Sequence, residues 1–267
     1  MLQLFPTTGN YARPDPESIS DHVRARATRR MKVDINCDLG EGEAPARTRA
    51  LMKWITSANI ACGGHAGTAR SMDYCARLAH KMGVRVGAHP GFFDPENFGR
   101  RPQEITPAEL QLLLLQQVGA LEKIARSSST KLHHVKLHGA LYHAVEDDSG
   151  LAQTFVETIA RHWPKAKVYA APHGNIADRA PAAGVKIWHE AFADRAYMTD
   201  GTLVPRNVAG AVLGDIEIIL DRVRRLLRTS EVESISGAVI RFKPKTLCVH
   251  GDTPEALRIV KALRIDL

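Results

Sequence analysis

The chain is poor in the features that usually settle a function early. Its 267 residues include only four cysteines, Cys37, Cys62, Cys75 and Cys248, and no two of them stand in a C-x-x-C pair. That excludes a disulfide framework and fits reduced thiols in a cytoplasmic protein. No apolar run approaches the roughly 18 residues of a membrane span, so no membrane association is expected. Aromatic residues make up 6% of the chain. No basic stripe interleaved with aromatics occurs, so a nucleic-acid partner is not expected either. The net charge of +7 and the pI near 9.4 suit anionic ligands such as carboxylates or phosphates. There is no G-x-S-x-G elbow, no phosphate-binding P-loop and no H-E-x-x-H, so the chain carries no ATP-binding motif of its own.

What is present divides at Met31. Residues 1–30 hold Pro6, Pro14 and Pro16 and then Arg24, Arg26, Arg29 and Arg30, with few large apolar side chains. They lack the apolar stretch of a secretory signal and are expected to form a flexible N-terminal arm, or to reflect a start assigned too far upstream. Residues 31–267 are expected to form a single domain. Short apolar runs at 31–37, 57–61, 84–88, 133–137, 167–171, 185–191 and 246–249 each end in polar, Gly-containing sequence. Helical patterns lie between most of them, at 71–82, 107–126, 149–162, 215–228 and 254–263. The helix at 107–126 is the clearest, because Leu110, Leu114, Val118, Leu121 and Ala125 share one face. Thr106, Pro107 and Glu109 mark its start as a capping box with Pro in the first turn. Residues 231–243 read as a small hairpin around Ser236-Gly237. Strands alternating with helices imply a parallel sheet. The number of units favours an α/β fold of the closed, irregular (β/α)7 TIM-like barrel type, whose strand C-termini build the active site.

Those strand ends are rich in ionisable side chains. Alternate residues of a strand share a face. Asp34, Asn36 and Asp38 therefore align, as do His134, Lys136 and His138, and His250 and Asp252. Other strand ends contribute His65 (after Asn59), His89, His173, and the group Glu190, Asp194 and Arg195. Any one of these is more often a hydrogen-bonded structural residue or a turn former than a functional group. Buried charge is costly unless it is paired or used, and a shared polar pocket accounts for all of them together. Asp and His in proximity can perform acid–base chemistry, and Lys136 and Arg195 can bind a carboxylate or a developing oxyanion. The same Asp and His set is able to hold a divalent metal. Cys62 or Cys248 as a nucleophile is the weaker alternative, since a small Cys beside a strand end is usually core.

Eight segments, in order, resemble the LamB/YcsF family. They are D-I-N-C-D-L-G-E, S-A-N-I-A-C-G-G-H-A-G, G-A-H-P-G, F-G-R-R, H-H-V-K-L-H-G-A-L-Y, E-A-F-A-D-R-A-Y, D-G-T-L-V-P-R and V-H-G-D-T-P. The resemblance runs from about Met31 to the C-terminus. It implies a seven-stranded irregular barrel similar to that of glycoside hydrolases and polysaccharide deacetylases. It also implies the A component of an ATP-dependent 5-oxoprolinase, a cyclic amide hydrolase that converts 5-oxoproline to glutamate with separate B and C components. ATP would be a co-substrate bound in the complex, and phosphorylation of the lactam oxygen would supply a leaving group. Carried onto this chain, the resemblance implies catalytic roles for Asp34, Asp38, His65, His138 and His250. It implies substrate-binding roles for Asn36, His89, Lys136, Glu190, Asp194, Arg195 and Asp252. The sequence departs from the family pattern at Gly64, where Phe is frequent, at Leu137, where Pro is usual, and at His143, where Asn is common. Two other readings stay open: a stand-alone metal-dependent deacetylase or amidohydrolase on the same barrel, and a non-catalytic regulatory protein that binds a lactam or sugar. The sequence is also compatible with a homo-oligomer.

Overall fold

A computed structural model describes residues 33–267; the arm expected at residues 1–30 lies outside them. Seven parallel strands close into a barrel: β1 (Asp34–Leu39), β2 (Ser57–Ala61), β3 (Arg85–His89), β4 (Leu132–Val135), β5 (Lys167–Ala170), β6 (Lys186–Phe192) and, after a hairpin of β7 (Glu231–Glu233) and β8 (Val239–Arg241), β9 (Thr246–Val249). Closure comes from β9, which pairs with β1 through Asp34↔Thr246 and with β6 through Glu190↔Thr246. The expected α/β barrel is therefore the observed fold.

The outer face of the strands packs under helices. Ile35, Cys37, Leu39, Ile60, Val86, Val135, Val168, Leu247 and Val249 are all buried. The helix Pro107–Ser127 buries the stripe read from its spacing, with Leu110, Leu114, Val118, Leu121 and Ala125 fully inaccessible. Each such leucine contributes about 1.5–3 kcal/mol of burial. Its start is fixed as expected: Thr106 Oγ1 accepts from Glu109 N, Glu109 Oε2 accepts from Thr106 N, and Pro107 opens the first turn. The 231–243 hairpin is also present, with Val232 opposite Ile240.

The inside of the barrel differs from the apolar filling usual for this architecture. Polar side chains occupy it in tiers. At the N-terminal end, Asp34 accepts hydrogen bonds from Ser57 Oγ (2.7 Å), Tyr169 OH (3.0 Å), Thr246 Oγ1 (2.6 Å) and Thr56 Oγ1, and pairs with Arg85 (2.9 Å). In the middle, Asn36 Nδ2 donates to Glu190 Oε1 (2.8 Å) and Thr246 Oγ1 (2.7 Å). Asn59 Nδ2 donates to Asn36 Oδ1 and Asp38 Oδ1, both at 2.7 Å. His134 Nε2 donates to Asn59 Oδ1 at 2.7 Å, and the His134 ring stacks 3.9 Å from Tyr169. Gly87 makes room for that ring, since a Cβ there would lie 2.0 Å from His134 Nε2. A fully bonded polar core of this kind fixes side-chain positions tightly.

Candidate active site

The third tier opens at the C-terminal ends of the strands into a cavity of about 420 Å³. Its wall includes Asp38, Glu41, His89, Lys136, His138, Glu190, Arg195, His250 and Asp252. The cavity thus lies where the barrel geometry places it, and most of the sequence-derived candidates meet there.

Lys136 stands at its centre. The ammonium lies 3.2 Å from Asp38 Oδ1 and 3.2 Å from Glu190 Oε1, and donates to Cys248 Sγ at 2.9 Å. All three charged groups are buried. Burial disfavours the Lys136 charge, but the facing Asp38, Cys248 and Glu190 outweigh it and hold its pKa well above the ordinary value. Burial likewise opposes ionisation of Asp38; Lys136, then His89 and His250, reverse that and keep the carboxylate well below its usual range. Glu190 is raised, chiefly by burial, against the attraction of Lys136. Burial also pushes the Cys62 thiol up to about 12 and the Cys248 thiol well above its ordinary value, so neither is poised as a thiolate nucleophile.

A second group is a carboxylate–imidazole dyad. Asp194 is inaccessible and takes a hydrogen bond from His250 N (3.1 Å), while its carboxylate sits 3.0 and 3.2 Å from His250 Nδ1. The acidic partner fixes the proton on Nδ1 and leaves Nε2 as the basic nitrogen. Asp194, for which a substrate-binding role is expected, lies behind His250 and is not part of the cavity wall.

Three histidines form a third group. His65 and His138 stack at 3.5 Å with their planes 5° apart, and His89 meets each of them edge-on. Glu41 closes the cluster, with Oε1 2.9 Å from His65 Nε2. Backbone approaches it closely: a Cβ on Gly91 would lie 2.7 Å from His65 Nδ1, and one on Gly99 would lie 2.6 Å from His65 Cβ. Gly64, one of the departures from the family pattern, belongs to the same packing. A Cβ there would sit 2.3 Å from Gly91 O, and Gln117 fills the space by donating to Gly91 O at 2.7 Å.

Arginines line the mouth. Asp252 pairs with Arg100 (2.5 Å) and Arg206 (3.4 Å). Arg195 Nε and Nη2 donate to Ala211 O (3.2 Å) and Val204 O (2.5 Å), bracing the segment 203–211 beside the cavity. The other two departures, Leu137 and His143, are on the cavity wall.

Several sequence-derived candidates fall elsewhere. Asp34, for which a catalytic role is expected, lies at the opposite end of the barrel from the cavity. Alternation puts it on the same inward face as Asp38, but four residues back along a strand is about 13 Å deeper. Asn36 lies one tier below the cavity floor and holds Glu190 and Lys136 instead of facing a ligand. His65 stands behind His138 and is not on the cavity wall. His173 is exposed and contacts Arg241 O at 3.4 Å. Glu41, Arg100 and Arg206 were not singled out from the sequence. All three lie within quoted motifs, but outside the strands, where alternation gives no direction.

Comparison with known proteins agrees along the whole described chain. The model of the LamB/YcsF family matches residues 33–267. The 5-oxoprolinase A subunit of Pyrococcus horikoshii is 43% identical over 237 residues, 88% of this chain and 93% of that protein. The 5-oxoprolinase A subunit of Clostridium beijerinckii is 41% identical over 239 residues, 88% of this chain and 94% of its own. The crystal structure of a lactam utilization protein from Thermus thermophilus superposes with a TM-score of 0.82 at 35% identity, covering 89% of this chain and 96% of that one. Among the described residues no helix is long and apolar enough to cross a membrane.

Proposed function

The chain belongs to the LamB/YcsF family, and from that premise we propose that it is the A component of an ATP-dependent 5-oxoprolinase, hydrolysing 5-oxo-L-proline to L-glutamate in the cytoplasm with B and C subunits. The observation that carries the reading is the cavity itself. One buried ammonium, Lys136, and one oriented imidazole, His250, share a chamber whose mouth is lined by Arg100, Arg195 and Arg206. A small anionic ring fits that distribution of charge: the arginine side attracts a carboxylate, and Lys136 stabilises an oxygen that gains negative charge.

The absence of a phosphate loop supports a division of labour. An unstrained five-membered lactam is a poor electrophile, and transfer of the ATP γ-phosphoryl group to its carbonyl oxygen, at a nucleotide site supplied by the partner proteins, makes the ring carbon reactive. Water then adds to that carbon while His250 Nε2 accepts its proton. The ring C–N bond breaks and the proton passes to the departing nitrogen. A second water hydrolyses the resulting acyl phosphate to glutamate and phosphate. In this sequence Asp194 holds His250, Asp38 and Glu190 hold Lys136, and no cysteine forms a covalent bond.

The test is reconstitution of glutamate release from 5-oxoproline and ATP, omitting this chain and each partner protein in turn. The reading expects release only when all components are present. Glutamate formed at the full rate without this chain would overturn it.

A further inference from the structure

The Glu41–His65–His89–His138 cluster contains a contact that neutral rings cannot satisfy. His89 Nδ1 lies 2.8 Å from Lys136 O, and His138 Nε2 lies 2.8 Å from Phe98 O. A carbonyl only accepts, so both of these nitrogens must carry the proton. In the neutral rings, His89 Nε2 and His138 Nδ1 are then both lone pairs, and they face each other at 2.9 Å. Glu41 Oε1 is directed at the same point, 2.9 Å from His65 Nε2, 3.6 Å from His138 Nδ1 and 3.9 Å from His89 Nε2. All four ligand atoms lie within 4.8 Å of one another. His89 Nε2, His138 Nδ1 and Glu41 Oε1 are three acceptors converging on one point, with His65 Nε2 beside Glu41, and a cation between them would satisfy all of them.

The face-to-face stacking of His65 on His138, 3.5 Å apart, opposes a proton's charge on either ring. We propose that Glu41, His65, His89 and His138 bind one divalent first-row transition-metal ion of the zinc class. Three imidazoles and one carboxylate select such ions over magnesium or calcium, which take oxygen ligands. The carbonyls of Lys136 and Phe98 act as the outer partners that fix the ligating tautomers of His89 and His138, while His65 Nδ1 is buried without a hydrogen-bond partner. Glu41 is placed by its own support: Glu43 accepts from Gly40 N and Glu41 N, both at 2.8 Å, pinning the turn that carries it. The neighbouring triad Asp38, Cys248 and His250 has comparable spacing, but the Lys136 ammonium already occupies it. Because Glu41, His89 and His138 also line the cavity, a bound ion would act there as a Lewis acid.

Metal binding does not rest on the 5-oxoproline reading, and its test uses the metal alone. The full chain is stripped with a chelator and titrated with Zn²⁺ by calorimetry and with Co²⁺ by visible absorption, alongside Glu41→Gln, His89→Ala and Cys248→Ser. Thermal melts of each apo form establish that it is folded. About one ion per chain is expected, with a cobalt spectrum free of sulfur charge transfer and an affinity lowered about 10–100-fold or more by Glu41→Gln and His89→Ala but not by Cys248→Ser. If His89→Ala does not fold, Glu41→Gln on its solvent-side turn decides alone. Absence of stoichiometric binding, binding indifferent to Glu41→Gln, or a sulfur-to-cobalt band lost in Cys248→Ser would overturn the site.

Discussion

Replacing Lys136 with Met tests whether the centre of the cavity is an ion bridge. Lys136, Asp38 and Glu190 are 4%, 5% and 2% exposed, so water cannot take over the lost contacts. The substitution keeps most of the side-chain volume and leaves two carboxylates facing each other without a cation. Breaking a buried pair in this way costs about 3–5 kcal/mol. For a domain of this size that corresponds to a fall in Tm of roughly 6–20 °C. The deficit depends on pH with a definite sign. Without the ammonium, the proton affinities of Asp38 and Glu190 rise in the folded state, and a raised carboxyl loses its stabilising proton as pH increases. The variant is therefore worst at about pH 8 and closest to wild type at about pH 5. Adding Glu190→Gln removes one of the opposed charges and is expected to recover about 1–3 kcal/mol. Thermal melts of the two variants against wild type at both pH values supply the comparison. A Lys136→Met protein melting within about 2 °C of wild type, or a double variant no more stable than the single one, would refute the ion-bridge account.

Asp194→Asn is expected to leave KM for 5-oxoproline near its wild-type value while kcat falls about 10²–10⁴-fold, because the amide no longer fixes the basic tautomer of His250; steady-state assay of the assembled complex separates the two constants. Asp34→Asn should cost at least about 2 kcal/mol of stability in a denaturant titration, through loss of charge-assisted hydrogen bonds, and leave turnover per folded molecule unchanged. Burial raises Glu146 to about 7, so between about pH 4.5 and 7 its carboxyl is protonated in the fold while the unfolded chain is ionised. Its stabilising contribution is complete below the unfolded value and lost as pH rises through the folded one. Glu146→Gln should accordingly raise Tm at about pH 8 and leave it unaltered at about pH 4.5.

Most of the barrel was legible in the sequence because its signals are periodic. The stripe of Leu110, Leu114, Val118, Leu121 and Ala125 and the cap at Thr106 appear where spacing and chemistry put them. Boundaries shifted by one to three residues, as with β6 at Lys186–Phe192 against an expected 185–191 and the last helix at Ala256–Asp266 against 254–263. The site was legible as a set of groups at strand ends but not as an arrangement. Strand alternation fixes a face and not a depth, so Asp34 and Asp38 looked equivalent although they occupy opposite ends of the barrel. It also stops where the strand stops, so Glu41, only just beyond Gly40 at φ +76°, carried no direction. Asp194 and His250 are 56 positions apart in the chain, and only the pairing of β6 with β9 brings them together. Alternation put Asn36 and His134 on inward faces, but their mutual contacts with Asn59 are not visible until closure joins the strands.

The most direct check on the central claim is glutamate released per assembled complex when this chain carries His250→Ala. His250 is at the cavity wall, and the substitution removes the proposed base without touching the Lys136 bridge. Turnover reduced about 10²–10⁴-fold with assembly intact is the predicted result. Undiminished release of glutamate would contradict the assignment of ring opening to this cavity.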